Sequence, residues 1–296
     1  MVWSSATIAI ADIRSSLGGA VLAKRAELRK DGYWLAERIQ PMPSANAATG
    51  VDRRPLLLTL PPSHYCERAR WALDLHKLAY NEKRLVPGAH VQRVRRLGAS
   101  STSLPLLVLG DGSLCQGSDQ ILDLVGLPGG DPEVECRLEQ VTGPLIRQCL
   151  YAGLLADPRS GIRDVLLRGT GTRQAVLWQL TWPLLRRIMA QGMNAQPRHL
   201  PDLITQVERE LDWFDQILAE RGDYLVGHKF GRADLTAASL LAPVALPQVE
   251  PVESISAGIR WPRSLAPSLA RWSDRPSLKW VRHMYEAHRT PRTQNF

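Results

Sequence analysis

Residues 61–73 read PPSHYCERARWAL, and this stretch joins a predicted strand to a predicted helix. The apolar run PLLLTL at 55–60 favours a buried strand, and the two prolines that follow block further strand pairing. From residue 64 to residue 77 the composition is helical. Backbone N–H groups at a helix start lack intrahelical partners and, together with the helix dipole, stabilise an anion such as a thiolate. We therefore expect an anion site at this junction.

Two side chains at the junction indicate which reactions it could support. Ser63 is placed to donate a hydrogen bond to a bound thiolate, but a serine here would also serve as a helix cap with no catalytic role. Cys66 would itself be a nucleophile, or else a half-buried apolar residue of the first helical turn. Both residues are candidate catalytic groups, and both simpler interpretations stay open.

The sequence around the junction predicts a compact α/β unit at 53–128. Gly110-Asp111-Gly112 is a tight hairpin signal within it. The predicted strands lie at 55–60, 80–86, 106–109 and 113–116, and a helix follows at 118–125. The order strand, helix, strand, hairpin and helix indicates a mixed four-stranded sheet covered by helices.

From residue 131 onward the pattern is helical, so 131–290 is predicted to be an all-helical domain. Asp131 followed by Pro132 and Glu133 is a favourable helix start. The other predicted features are a loop at 157–173, a helix at 174–192 interrupted or kinked near Pro183, and helices after Gly231 and at 277–288. Residues 1–52 are predicted to be an N-terminal extension ending in a small, polar, Pro-containing linker.

Composition argues against several classes of protein. The formal charge of +8 is spread along the 296 residues, which predicts a solvated surface rather than a nucleic-acid partner, with an anionic small ligand as the next interpretation. The four cysteines form no CxxC and no metal-ligand spacing with histidine, so no metal is expected and a reducing compartment is the simpler assumption. No run of about 18 to 20 uncharged apolar residues occurs, so membrane association is not expected.

Residues 1–50 leave the location of the protein open between two interpretations. Their arginines, lysines and serines are typical of an organellar transit peptide, but Asp12, Glu27, Asp31 and Glu37 count against one. A cytoplasmic protein with a helical or loosely ordered extension is favoured.

The segment from Ser63 to Arg68, set before an apolar helix, resembles the active-site segment of the glutathione transferase family. The resemblance implies a thioredoxin-like α+β domain followed by an all-α glutathione-transferase C-terminal domain. Ser63 falls where the family places its catalytic Ser or Cys, and Cys66 falls at the second Cys of the glutaredoxin pair. Thr59 lies near the Tyr of the tyrosine-type classes, which disfavours that type.

The motif SLPLL at 103–107 is similar to the family's cis-proline segment. In the family this segment exposes the backbone of the residue before the proline, which pairs with the cysteinyl part of glutathione. That residue is Leu104 here, beside Pro105. Tyr65 is expected to line the same site, although packing alone would also account for it.

The motif LCQGSDQI at 114–121 is similar to the family's acidic-Ser-x-x-Ile segment. By this resemblance Ser118 and the helix start would bind the γ-glutamyl carboxylate of glutathione. Gly117 belongs to the same implied site and stands where the family has an acidic residue. The contact that an acid would make is therefore in doubt.

The second half of the chain carries the resemblance further. The motif YLVGHKFGRAD at 224–234 resembles the family's helical-domain signature, with Gly231 in place of the usual Ser or Thr cap. Asp234 is interpreted as a buried folding element at the same helix start. Segments at 267–272 and 275–276 resemble the family's C-terminal part, so the resemblance covers 53–288.

The resemblance implies an enzyme that binds glutathione as co-substrate and transfers it to a small apolar electrophile, as in detoxification. It also implies a homodimer, with Ser63 activating the thiol. Two alternatives stay open. One is a glutathione-dependent thiol reductase or deglutathionylase that uses Cys66. The other is a non-catalytic binding or scaffold protein of the same fold, which the departures at Gly117 and Gly231 would favour.

Two further groups of side chains are weaker candidates for the site. The basic group before the cis-proline segment favours a solvated loop, although one member would suit the glycyl carboxylate of glutathione. The aromatic group on the helices favours core packing, but would also suit the wall of an apolar pocket. The members are His90, Arg93, Arg95 and Arg96 in the first group, and Tyr151, Trp178 and Trp182 in the second.

Overall fold

The computed structural model describes residues 54–249 and 257–290, so the extension and linker predicted at 1–52 lie outside the described residues. A four-stranded sheet of order β2-β1-β3-β4 forms the first half. β1 and β2 are parallel, whereas β3 runs antiparallel to both of its neighbours. The bounds are β1 Leu56–Thr59, α1 His64–Leu75, β2 Asn81–Arg84, α2 Ala89–Arg96, β3 Leu106–Val108, β4 Leu114–Gln116 and α3 Ser118–Val125.

The sheet is buried on both faces because the residues of its central strands alternate between them. Leu57 of β1 lies opposite Leu107 of β3, and both pack in the cluster that α1 and α3 cover. Leu58 and Leu106 point to the other face and pack with Val94 of α2. The mixed sheet with helices on both sides confirms the predicted thioredoxin-like half.

The second half is helical, as predicted. A short π-helical segment, Leu138–Thr142, joins its first two helices. α9 lies at the centre, because nearly all of its residues are buried. The bounds are α4 Pro132–Arg137, α5 Gly143–Leu154, α6 Ile162–Leu167, α7 Thr172–Gly192, α8 Leu200–Arg221, α9 Arg232–Ala245, α10 Ala266–Trp272 and α11 Pro276–His288.

Several local features differ from the sequence prediction. The stretch expected to be a solvated loop before the cis-proline segment contains α2, whose single buried residue, Val94, gives no apolar periodicity. The loop predicted at 157–173 contains α6, which is only six residues long. α7 runs through Pro183 to Gly192 without interruption, and it exposes a row of apolar side chains, namely Val176, Leu180, Leu184 and Ile188.

Buried charges fix α1 between the two halves. Arg68 is fully buried, and its Nη1 lies 2.6 Å from Oε1 of Glu139. One residue earlier on the helix, Oε1 of Glu67 lies 2.8 Å from Nε of Arg289, and both side chains are buried. Removing one partner of such a pair leaves an uncompensated charge and costs about 3–5 kcal/mol. The start of α1 is therefore held rigidly against the helical half.

Candidate active site

Ser63 occupies the N-cap position of α1. Its backbone is extended, with φ −86° and ψ 116°, and its Oγ accepts a hydrogen bond from the backbone N–H of Cys66 at 3.3 Å. A hydroxyl has one proton to donate and two lone pairs to accept. The cap uses only a lone pair, and the hydroxyl also forms a hydrogen bond with the Cys66 thiol.

Cys66 lies on the buried side of the same helical turn. Its side chain has no exposed area, and its Sγ accepts a hydrogen bond from the backbone N–H of Leu60 at 3.4 Å. Burial raises the pKa of the Cys66 thiol, because a buried thiolate is poorly solvated. This environment disfavours a nucleophile, and the burial is more complete than the half-buried position expected from the sequence.

The peptide bond between Leu104 and Pro105 is cis. Gln116 supports the loop that leads to it, since its Nε2 donates to the carbonyl oxygens of Ser101 at 2.8 Å and Ser103 at 3.0 Å. The carbonyl of Pro105 accepts from the backbone N–H of Gly117 at 3.0 Å. The cis-proline segment is thereby tied to the start of α3. The part played by Gln116 had no signal in the sequence.

α3 begins directly after Gly117, whose φ of +99° favours glycine. Ser118 is the first residue of α3 and is buried. A Cβ placed on Gly117 would lie 2.6 Å from Oδ1 of Asp119. The carboxylate of Asp119 therefore fills the space beside position 117.

A cavity of about 700 Å³ lies between the two halves of the chain. Ser63, Tyr65 and Leu104 line it from the thioredoxin-like half, and Tyr151, Leu154 and Trp261 are among the residues that line it from the helical half. Cys66 and Ser118 are not among its lining residues. Ser63, Tyr65 and Leu104 thus line one cavity, whereas Cys66 does not line it.

Two aromatic rings follow Ser63 on the cavity wall. The Tyr65 hydroxyl donates to the backbone carbonyl of Glu139 at 3.0 Å, and burial raises its pKa to about 12. The His64 ring lies 4.5 Å from the Tyr65 ring. Burial, assisted by the positive charge of Arg147, lowers the pKa of His64 to about 3. His64 is therefore neutral at physiological pH, a property that depends on its burial in the fold and has no signal in the sequence.

The weaker candidates divide between the cavity and the rest of the fold. His90 and Tyr151 line the cavity, whereas Trp178 and Trp182 pack in the helical core and do not line it. The three arginines of α2 are exposed and do not line it either; they are Arg93, Arg95 and Arg96.

Residues 54–249 and 257–290 lack the features of two other kinds of site. No group of three or more His, Cys, Asp or Glu side chains in these residues could hold a metal ion. Within the same residues, no helix is both long enough and apolar enough to cross a membrane.

Two family models match the chain and show to which family it belongs. A model of the glutathione S-transferase N-terminal domain matches residues 57–126, and a model of the glutathione S-transferase C-terminal domain matches residues 182–277. Together the two matches cover more than half of the chain. The chain belongs to the glutathione S-transferase family. The family expected from the sequence is thereby confirmed.

Solved structures of this family share the fold at low identity. Glutathione transferase GSTFuA3 from Phanerochaete chrysosporium matches at 15% identity and a TM-score of 0.54, over 79% of this chain and 97% of that one. The glutathione S-transferase CsGST63524 of Ceriporiopsis subvermispora, in complex with glutathione, matches at 12% identity and 0.54, over 80% and 98%. No curated protein matches the chain in sequence.

The structure accounts for the glycine at the cap position of the glutathione transferase helical signature. A Cβ on Gly231 would lie 2.9 Å from the carbonyl oxygen of Pro128, so no larger residue fits without a backbone shift. Asp234 caps the helix start instead: its carboxylate accepts from the N–H groups of Gly231 at 2.8 Å and Leu225 at 2.7 Å. The missing side chain at position 231 therefore reflects close packing.

Proposed function

We propose that this chain is a glutathione transferase that activates the glutathione thiol with Ser63 and transfers the tripeptide to an apolar electrophile. The observation that supports this most strongly is the shared cavity: the Ser63 hydroxyl and the backbone before cis-Pro105 belong to one largely apolar space between the two halves. The thiol site and the electrophile site would therefore be adjacent.

Ser63 would act on the sulfur as a hydrogen-bond donor. A bound thiolate is a stronger acceptor for the Ser63 proton than the neutral Cys66 thiol, and the N–H groups at the start of α1 add to this preference for the thiolate over the thiol. A free thiol with pKa about 8.5 is mostly protonated at neutral pH, so lowering the pKa by about two units raises the reactive share greatly. The thiolate then forms a C–S bond with the electrophile, the leaving group departs with its electron pair, and the thiol proton passes to solvent.

The rest of the glutathione would follow the edge of the thioredoxin-like half. We assign the backbone of Leu104 to the cysteinyl unit, and Ser118 with the start of α3 to the γ-glutamyl carboxylate. The N–H of Gly117 already donates a hydrogen bond to the carbonyl of Pro105. Gly117 would therefore contribute only by letting glutathione come close to the backbone. Asp119 would bind the γ-glutamyl amino group, because its carboxylate lies beside the position where the family has its acid.

The electrophile would lie against the helical wall, where Tyr151 and Leu154 offer apolar surface. Tyr65 would only form part of the cavity wall, because its hydroxyl already donates a hydrogen bond to the backbone carbonyl of Glu139. The reductase alternative loses support, because Cys66 is fully buried.

We also propose that the protein is a homodimer, which light scattering after gel filtration would test. We further propose a cytoplasmic location, which suits the four free cysteines.

Binding and turnover test this proposal separately. Titration calorimetry with glutathione should show binding, and a chlorodinitrobenzene should be conjugated. Ser63→Ala should lose about 100-fold in conjugation rate, a typical cost of removing one donor that stabilises developing charge. Absence of binding at millimolar glutathione would favour the non-catalytic scaffold, and full activity of Ser63→Ala would contradict the role of Ser63.

A further inference from the structure

The charge on the cavity wall is uneven. Glu67 and Arg147 are its only Lys, Arg, Asp or Glu side chains among the residues that the structure describes. Glu67 has two cationic partners, Arg289 at 2.8 Å and Arg70 at 3.6 Å. Arg147 forms no ion pair or hydrogen bond with any described side chain. The wall therefore carries one uncompensated positive charge.

The position of Arg147 follows from the geometry of α5. Residues one turn apart on a helix share a face, so Arg147 lies between Gly143 and Tyr151 on the side that faces the cavity. Gly143 is where Tyr65 approaches: a Cβ there would lie 2.7 Å from the Tyr65 hydroxyl. Arg147 thus lies on the helical wall close to the start of α1, where Ser63 is.

The electrostatic environment agrees with this position. The positive charge of Arg147 opposes the upward effect of burial on the pKa of Tyr65 and of Tyr151, and it adds to the downward effect on His64. His64 is neutral, so it neither competes with Arg147 for an anion nor repels one. Arg147 is exposed and also lines the cavity, so it is accessible to a ligand that enters from solvent.

We propose that Arg147 selects electrophiles that carry a carboxylate or sulfonate group next to an apolar reactive body. A guanidinium pairs with such groups through two parallel hydrogen bonds, and it is more weakly hydrated than an ammonium. The apolar wall would hold the body of the electrophile and direct its anionic end to Arg147. This inference rests on the proposed function, since it names the class of co-substrate for the same site.

A matched pair of electrophiles tests the inference. One is a chlorodinitrobenzoate with its chloride para to the carboxylate, and the other is the corresponding carboxamide. We expect wild type to prefer the carboxylate about tenfold in kcat/KM, after each rate is divided by the uncatalysed rate with glutathione. In Arg147→Gln, kcat/KM should fall for the carboxylate and stay unchanged for the carboxamide, so that the preference is lost. Arg147→Lys should keep part of the preference.

A control variant and one further readout make the outcomes decisive. Arg187→Gln, which removes an exposed arginine of α7 outside the cavity lining, should keep the preference. An equal loss for both electrophiles, or a raised KM for glutathione with an unchanged ratio, would place Arg147 on glutathione and overturn the inference. So would a wild type with no preference.

Failure of the proposed function would be seen separately. If neither electrophile is turned over, the affinities of the two preformed glutathione conjugates are measured by calorimetry in wild type and Arg147→Gln. Tighter binding of the carboxylate conjugate that is lost in the variant would support the anion site even without catalysis. Equal dissociation constants for the two conjugates would overturn it.

Discussion

The Ser63 hydroxyl accepts a hydrogen bond from the backbone N–H of Cys66, 3.3 Å away, in the first turn of α1. The hydroxyl also forms a hydrogen bond with the Cys66 thiol, which lowers the pKa of that thiol, but the opposing effect of burial is larger. Ser63 lines the cavity, whereas Cys66 does not, and its sulfur accepts a hydrogen bond from the backbone N–H of Leu60. Of the two candidates, only Ser63 lines the cavity, and Cys66 is fully buried.

Cys66→Ala is expected to keep conjugation activity within about twofold of wild type, because the thiol does not reach the cavity. In the native wild type, a thiol reagent should label the partly exposed Cys136 before Cys66. Mass spectrometry after treatment with oxidised glutathione should find no adduct on Cys66. A Cys66 adduct, together with loss of activity in Cys66→Ala, would restore the reductase interpretation.

Asp119→Asn is expected to raise the dissociation constant for glutathione about tenfold, since it removes the carboxylate that would bind the γ-glutamyl amino group. Titration calorimetry measures this directly. Glu220→Gln removes an exposed carboxylate of α8 and serves as the control, with unchanged affinity expected. Equal affinities for Asp119→Asn and wild type would mean that another group binds the amine.

The sequence was sufficient for features that depend on local chemistry. The apolar run before Ser63, the hairpin glycines and the Asp131 helix start each act within a few residues, and each was found where it was predicted. The family followed from motifs of the same local kind. The sequence does not predict α2, because only Val94 of this helix is buried and its other residues are typical of an exposed polar loop.

The parts of the candidate site that sequence reasoning missed depend on contacts between distant segments. Gln116 acts on a loop some 13 to 15 residues earlier. Arg147 is one arginine among many until the fold places it on the cavity wall. The family resemblance favours Ser63 over Cys66, but the complete burial of Cys66 depends on the sheet packed against it and could not be predicted from the motif.

Gly231→Ser is expected to destabilise the protein by about 1–3 kcal/mol, even though serine is the family's usual cap. Its Cβ would meet the carbonyl oxygen of Pro128 at 2.9 Å, and Asp234 already accepts from the N–H of residue 231. Chemical denaturation measures the change. Gly171→Ser at the start of α7 is the matched control, because its Cβ meets no atom and its cap position suits serine. A stabilised Gly231→Ser would refute the packing argument.

The stability of the protein is expected to fall as the pH is lowered from about 7.5 to about 5, in part because of His64. Its pKa in the folded state is about 3, against an ordinary value of 6.5, so the unfolded state takes up the proton first. The contribution of neutral His64 is complete above about pH 6.5 and is lost as the pH falls. His64→Phe keeps a ring but cannot titrate, so its melting temperature should fall less over this range. An identical fall in both proteins would contradict the neutral, buried His64.

The role of Ser63 can be read directly from the pKa of the bound glutathione thiol, which is obtained from the ultraviolet absorbance of the thiolate as the pH is varied. In wild type we expect a value about two units below that of free glutathione. In Ser63→Ala we expect it to return most of the way to the free value while glutathione still binds, with Cys66→Ala unchanged from wild type. An unshifted thiol in wild type, or the same shift in wild type and Ser63→Ala, would contradict the claim that Ser63 activates the thiol.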